Sequence, residues 1–200
     1  MVRDQTPSSV PLIAQALWYV APEQAECREE VLPPLAEGTL LVRTLFGALS
    51  RGTESLVYRG QVPETEFERM RAPFMDGNFP FPVKYGYSNV GRVEAGPEGL
   101  LGKLVFSLMP HQTVFQALPN SVTAVPDGVA APRAVLAANM ETALNAVWDA
   151  APGPGDRIAV VGAGVVGCLV AYLCGHLPGA EVTLVDINPE RATIARALGV

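Results

Sequence analysis

The sequence predicts a β-rich first part, residues 1–150, followed at residues 151–200 by the opening of an α/β fold. Three observations predict it. Short apolar runs separated by Gly and Pro fill the first part. Apolar residues recur at helical spacing from Pro132 onward. A strand, a glycine-rich turn, a helix and a second strand then follow in order between residues 157 and 185.

The expected strands of the first part are residues 16–20, 39–49, 89–94, 102–108 and 113–118. In the second of these, Leu41, Arg43 and Leu45 share one face, and Leu40, Val42, Thr44 and Phe46 the other. Residues 59–82 differ. They carry Pro63, Pro73, Pro80 and Pro82, with Glu64, Glu66, Glu68, Arg69 and Arg71 between them. A short helix is expected near 65–71 and loop elsewhere, serving as a lid or as a solvated insertion. Val135, Leu136, Met140, Leu144 and Val147 mark a helix that ends in the breaker cluster at 150–155. Residues 157–161 read as a buried strand, 162–167 as a turn into a second helix, and 181–185 as a second strand. Asn188 caps a third helix with Pro189 at its first position, and Ile194 and Leu198 continue its apolar face.

Composition excludes several classes. Of 200 residues, 49% are hydrophobic and 17% charged, which is not the signature of a disordered chain. The net charge is −6, Lys84 and Lys103 are the only lysines, and the arginines are scattered. There is no basic footprint for nucleic acid or anionic lipid. No charged residue occurs between Arg157 and Glu181, a length that by itself suggests a membrane span. Gly162, Gly164, Gly167, Gly175, His176, Pro178 and Gly179 divide that run into a strand, a turn and a helix, each too short to cross. The polar residues 1–7 and the mixed run 12–20, broken by Gln15, do not make a signal peptide. Cys27, Cys168 and Cys174 form no C-x-x-C and read as reduced thiols in the cytoplasm, filling space.

Gly162-Ala163-Gly164-Val165-Val166-Gly167 is G-x-G-x-x-G, and it lies between a strand and a helix, as a dinucleotide fingerprint requires. Gly162 permits the tight turn, Gly164 admits a pyrophosphate close to the backbone, and Gly167 lets the helix pack on the strand. The helix start, with Val165 and Val166, faces phosphate with free N–H groups. Asp186 follows Gly167 by nineteen positions and ends the second strand. Its carboxylate suits ribose hydroxyls and repels a 2′-phosphate, favouring NAD over NADP. The neighbours Ile187, Asn188 and Arg191 can alter that preference. The spacing predicts a Rossmann-type unit.

Further segments resemble the medium-chain dehydrogenase/reductase family of zinc alcohol dehydrogenases and quinone oxidoreductases. Val125-Pro126-Asp127-Gly128 is similar to its "lPdg" turn, Thr142-Ala143 to its "TA" pair, and residues 155–160 to its "GDrVaV" strand. Residues 49–54 with Tyr58-Arg59-Gly60 resemble "GiCGTD…yrG", and residues 84–91 stand where "lGHEfsG" is expected. The resemblance implies a GroES-like catalytic domain with a connecting helix at 1–150 and part of a Rossmann NAD-binding domain at 151–200. It also implies that Thr142 meets the nicotinamide end, and that the full-length protein is a homodimer or homotetramer.

Departures from the family pattern bear on the chemistry. Arg51 stands where the first zinc-ligating Cys belongs, Tyr87 and Ser88 replace the His-Glu pair, and Ala138 or Asn139 stands near the third ligand position. None of Arg51, Tyr87 and Ala138 is a normal zinc ligand, and the cysteine-rich structural zinc lobe is absent from the sequence. The S-x-G-T-E form is most similar to the branch that contains bacteriochlorophyllide a dehydrogenase. A zinc-free enzyme is expected, and a side chain must then remove the alcohol proton. Thr53 matches the relay hydroxyl of zinc members, although Leu56 replaces the His downstream of it. Arg51 is a fixed charge for an alkoxide or enolate, or else a partner of Glu54 or a residue facing solvent. Tyr87 is a donor to a carbonyl oxygen, or else cleft packing. His111, an imidazole in a strand-leading loop, is a candidate for acid–base work, and His176 reads as a helix C-cap.

Three functions fit. The first is NAD-dependent, zinc-independent oxidation of an alcohol or reduction of a ketone, with a small-molecule substrate. The second is reduction of a quinone or activated alkene, which NADPH preference would favour. The third is cofactor binding without turnover. The chain ends after the second βα unit, whereas a complete dinucleotide fold has six strands. It is therefore read as part of a longer chain and, in isolation, as a poor cofactor binder.

Overall fold

The computed structural model describes residues 11–200, and the polar stretch at 1–7 lies outside the described residues. The chain divides into two compact units, one ending at Val135 and the other running from Leu136 to Val200.

The first unit is built on two sheets. One has the order β2-β1-β5-β4, from β1 (Ile13–Ala21), β2 (Gln24–Val31), β4 (Asp76–Gly77) and β5 (Val83–Lys84). The other has the order β8-β3-β6-β7-β9, from β3 (Leu40–Gly47), β6 (Asn89–Ala95), β7 (Leu104–Ser107), β8 (Val114–Ala117) and β9 (Val122–Ala124). Every pairing in both is antiparallel. Two short helices, α1 (Thr53–Tyr58) and α2 (Ala131–Ala134), complete the unit.

Of these elements, β2, β4, β5, β9 and α1 are not among the sequence expectations. β2 is an edge strand that carries Glu26, Arg28, Glu29 and Glu30, and it hardly enters the core. Charge on an edge blocks further strand pairing, and it also hides the strand pattern. In β3, Leu40 and Val42 are buried as their shared face predicts. Irregular register at Thr44/Phe46 then leaves both Leu45 and Phe46 exposed.

Two apolar clusters hold the unit. Leu40, Val42, Val93, Val105, Met109, Phe115 and Ala117 form one. Tyr19, Val57, Val62, Ala72, Met75, Val83 and Tyr85 form the other, with Phe67, Met70, Phe79 and Phe81 packed on it. Residues 59–82 are thus neither a lid nor a solvated loop. A 3-10 turn at Glu64–Glu66 replaces the expected helix, and the segment inserts its aromatic and Met side chains into the core.

The second unit holds α3 (Ala137–Ala150), β10 (Arg157–Val161), α4 (Val165–Gly175), β11 (Glu181–Val185) and α5 (Arg191–Ala197). The strands β10 and β11 are parallel, in register from Arg157↔Glu181 to Val161↔Val185. The helical pattern from Pro132 to Val147 breaks at Val135–Leu136 into α2 and α3. The connecting helix therefore belongs to the second unit, and the boundary falls at 135 instead of 150. α3 packs on α4 and ends at Ala151 in the left-handed conformation, just before Pro152. Among the described residues, no helix is long and apolar enough to cross a membrane.

Candidate functional site

Chemistry-bearing residues gather in two places, one in each unit. In the second unit, the glycine loop leaves β10 and opens α4. Gly162 has φ +103°, a left-handed conformation that favours glycine. Its N–H donates to the Val185 carbonyl at 2.7 Å, tying the loop to β11. A Cβ on Gly167 would collide with the Gly162 carbonyl oxygen, so Gly167 is required by packing. Gly164 is different. Its φ is −74°, and a Cβ there would meet nothing within 4 Å. Neither backbone strain nor a neighbour demands glycine at 164. The space it leaves lies against the start of α4, where no side chain caps the first-turn N–H groups. Such a cradle fits a pyrophosphate.

Asp186 stands at the end of β11. Its carboxylate accepts the Ala163 N–H at 2.7 Å on one oxygen and the Asn188 N–H at 2.7 Å on the other. The hydrogen bonds from Asn188 and Ala163 hold its carboxyl below the usual carboxylate range, helped by the charge of Arg191. Asp186, Asn188 and Arg191 share a small cavity of about 100 Å³. Ile187 beside them is fully exposed. The Asn188 side chain accepts the Glu190 N–H at 3.0 Å, although the α-helix itself starts only at Arg191. Thr142 is exposed on α3, and its hydroxyl donates to the Ala138 carbonyl at 3.2 Å. His176 ends α4 with Nδ1 2.7 Å from the Tyr172 carbonyl, the expected C-cap.

In the first unit the centre is Glu54, 4% exposed in the first turn of α1. Its Oε1 accepts the Ser50 N–H at 2.7 Å. Its Oε2 accepts the Tyr19 hydroxyl at 2.9 Å and lies 2.8 Å from His111 Nε2. Burial, and then the Glu54 charge, push the Tyr19 hydroxyl far above its ordinary range. Burial also pushes Tyr85 up to about 12, and its hydroxyl donates to the Met70 carbonyl at 2.7 Å. The His111 carbonyl accepts the Leu17 N–H at 2.9 Å. Glycines make room for the His111 ring. A Cβ on Gly86 would stand 2.8 Å from Cδ2 and Nε2, and one on Gly47 3.2 Å from Nδ1. A cavity of about 360 Å³ adjoins Glu54, walled by Leu17, Tyr19, Ala25, Leu49, Ser50, Arg51, Ser55 and Tyr58.

The expected catalytic residues are only partly brought together. His111 pairs with Glu54, and Arg51 lines the cavity beside it. Arg51 makes no ion pair among the described residues, so the pairing with Glu54 does not form. Thr53 opens α1 but is not part of the cavity wall. Tyr87 packs edge-on against Tyr85, with ring centroids 6.1 Å apart, at the border of the core. Sequence reasoning missed Tyr19 altogether and took Glu54 only as a counter-ion. Glu54 lies inside the S-x-G-T-E segment, but its partners come from residues 35 and 57 positions away. Among the described residues, no three His, Cys, Asp or Glu side chains stand together as metal ligands would.

No family model matches the sequence. Solved structures match it closely in shape. An Escherichia coli alcohol dehydrogenase complexed with NADH superposes with a TM-score of 0.73 at 18% identity, over 94% of this chain and 61% of that one. An alcohol dehydrogenase of Thermus sp. ATN1 gives 0.70 at 21%, over 93% and 62%. A quinone oxidoreductase of Pseudomonas syringae gives 0.68 at 21%, over 92% and 56%. The chain thus spans about three-fifths of the length of these proteins. The likeness shows the fold: a GroES-like β unit followed by strands and helices of a Rossmann-type unit.

Proposed function

We propose that this chain belongs to a medium-chain dehydrogenase/reductase that moves hydride between a nicotinamide cofactor and a small-molecule alcohol or ketone, without catalytic zinc. The observation that carries the reading is Gly164, a glycine the fold itself does not need, placed at the uncapped start of α4. Around it, Gly162, Val165, Val166 and Gly167 would hold the pyrophosphate by backbone N–H groups. Asp186 would take the adenosine ribose hydroxyls, with Ile187 and Arg191 flanking them, and Thr142 the nicotinamide end. The bound nicotinamide would supply the hydride acceptor or donor. Arg51, Tyr87, Ser88 and Ala138, at the family's ligand positions, do not suit zinc. A homodimer or homotetramer in the cytoplasm completes the proposal.

Asp186 favours NAD because a second negative group beside it is repelled. Titration with NADH and NADPH, followed by nicotinamide fluorescence and paired with a metal assay, tests the whole. The expected result is a preference for NADH and no stoichiometric zinc, with NAD reduction by some member of a panel of secondary alcohols. An NADPH preference turns the reading towards a quinone or alkene reductase. Binding without turnover across the panel points to a cofactor-binding protein, and stoichiometric zinc removes the metal-free mechanism.

A further inference from the structure

We infer that the cavity beside Glu54 is a binding site for a small monocarboxylate with a ring-sized apolar body, its head group held by Arg51. The site lies wholly within the first unit and stands apart from the hydride-transfer reading above.

Size comes first. The cavity measures about 360 Å³. A void of about 150 Å³ holds a benzene ring, so this one has room for a ring, a short chain and a head group. Its wall is largely apolar, made by Leu17, Ala25 and Leu49 with the rings of Tyr19 and Tyr58. Those two rings meet edge to face, with centroids 6.0 Å apart. Their hydroxyls are already engaged, that of Tyr19 by Glu54 and that of Tyr58 by the Glu23 carbonyl. What they offer a ligand is therefore flat apolar surface.

Charge in the wall decides the head group. Two charged side chains line the cavity, Glu54 and Arg51. Glu54 is buried, and its carboxylate is taken up by the Ser50 N–H, the Tyr19 hydroxyl and His111 Nε2. Arg51 is the opposite case. Its backbone is anchored, since its carbonyl accepts the Ser55 hydroxyl. Its guanidinium has no ion pair among the described residues. A guanidinium stays charged at any working pH, and its planar fork matches a carboxylate with two parallel hydrogen bonds. Arg51 is itself exposed, which puts the head group at the cavity mouth and the apolar body inside. One guanidinium with the Glu54 carboxylate close by balances a single negative charge, so a phosphate dianion fits less well.

Four probes of one shape test the inference on the full chain, by calorimetric titration without any nicotinamide. They are phenylacetate, its neutral isostere phenylacetamide, the cation 2-phenylethylamine and the dianion benzyl phosphate. Phenylacetate should bind tightest, at least about 10-fold better than phenylacetamide. Raising NaCl from about 0.02 to about 0.5 M should weaken phenylacetate and leave phenylacetamide unchanged. Arg51→Gln should bring phenylacetate down to the level of phenylacetamide, and Arg51→Lys, which keeps the charge but not the fork, should fall between. Ala25→Leu narrows the cavity and should weaken both probes together. Equal binding of phenylacetate and phenylacetamide, or tighter binding of the amine or the phosphate, overturns the inference on the wild type alone, whatever the variants do. A phenylacetate preference that survives Arg51→Gln, or affinities untouched by Ala25→Leu, places the probe elsewhere and overturns it too. Failure of NADH to bind would sink the cofactor reading and leave these affinities to judge the cavity by themselves.

Discussion

Replacing Gly164 and Gly167 separately by Ala distinguishes a glycine kept for a ligand from a glycine kept for the fold. At 167 the added Cβ collides with the Gly162 carbonyl oxygen and stands 3.1 Å from its carbon. Both are backbone atoms, tied to β11 through the Gly162 N–H, so no flexible side chain can yield. Overpacking of this kind costs about 1–3 kcal/mol, and a rigid neighbour places Gly167→Ala in the upper half of that range. At 164 the Cβ meets nothing within 4 Å, and φ is already ordinary. The lost N-cap preference and the gain from a stiffer unfolded chain are each below about 1 kcal/mol and opposite in sign, so stability should hold. Binding should behave differently. A methyl group in the cradle separates the pyrophosphate from the N–H groups, and a loss of about 1.4–2.8 kcal/mol weakens NADH about 10- to 100-fold. Thermal unfolding and a fluorescence titration carried to millimolar NADH measure the two effects. Gly164→Ala that binds NADH like the wild type would show that the open space holds no phosphate, and the reasoning from Gly164 would be wrong.

Other expectations follow from the same geometry. Gly86→Ala, at φ +129° with Cβ 2.8 Å from the His111 ring, should cost at least about 1–2 kcal/mol. It should also separate His111 from Glu54, visible as a change in the His111 imidazole resonances. The Asp186 carboxyl is depressed in the folded state, chiefly by the Asn188 and Ala163 N–H bonds. Its contribution to stability is thus present above its ordinary value of 3.8 and lost as pH falls through the lower folded value. Hydrogen exchange at the Ala163 amide should therefore stay slow at pH 4 and quicken well below it. Tyr19 and Tyr85 are both raised, so their contributions are present below pH 10 and lost as pH rises through about 12 for Tyr85 and later for Tyr19. Spectrophotometric titration between pH 10 and 11 should ionise at most three of the five tyrosines.

What could be read from the sequence was local. β10 and β11 agree with their expected bounds, but the expectation of a buried strand at 157–161 does not hold: both strands alternate exposed and half-buried positions, and Val161 is 84% exposed, because only two strands of the sheet are present in the described residues. The glycine loop and Asp186 are legible because turn chemistry and spacing sit within one βαβ stretch. β2 was hidden by its own charge, and the helix break at Val135 by apolar residues that keep helical spacing across it. Glu54 was visible as a residue but not as a centre. Its partners Tyr19 and His111 are strangers in sequence, brought together only when β1 meets the loop before β8 at the Ala16↔Gln112 bridge. Tyr87, singled out as a donor, is held by aromatic packing that no pattern in its own segment announces.

Residues 59–82 bear on how small molecules reach this unit. Val62, Ala72 and Met75 are buried, and Phe67, Met70, Phe79 and Phe81 lie against the same cluster as Tyr19 and Tyr85. Swinging such a segment outwards would uncover a row of aromatic rings and free the Tyr85 hydroxyl from the Met70 carbonyl. Its opening would be a local unfolding event. The segment therefore works as ballast, and ligand exchange at the neighbouring cavity should proceed at a rate indifferent to staples placed across it.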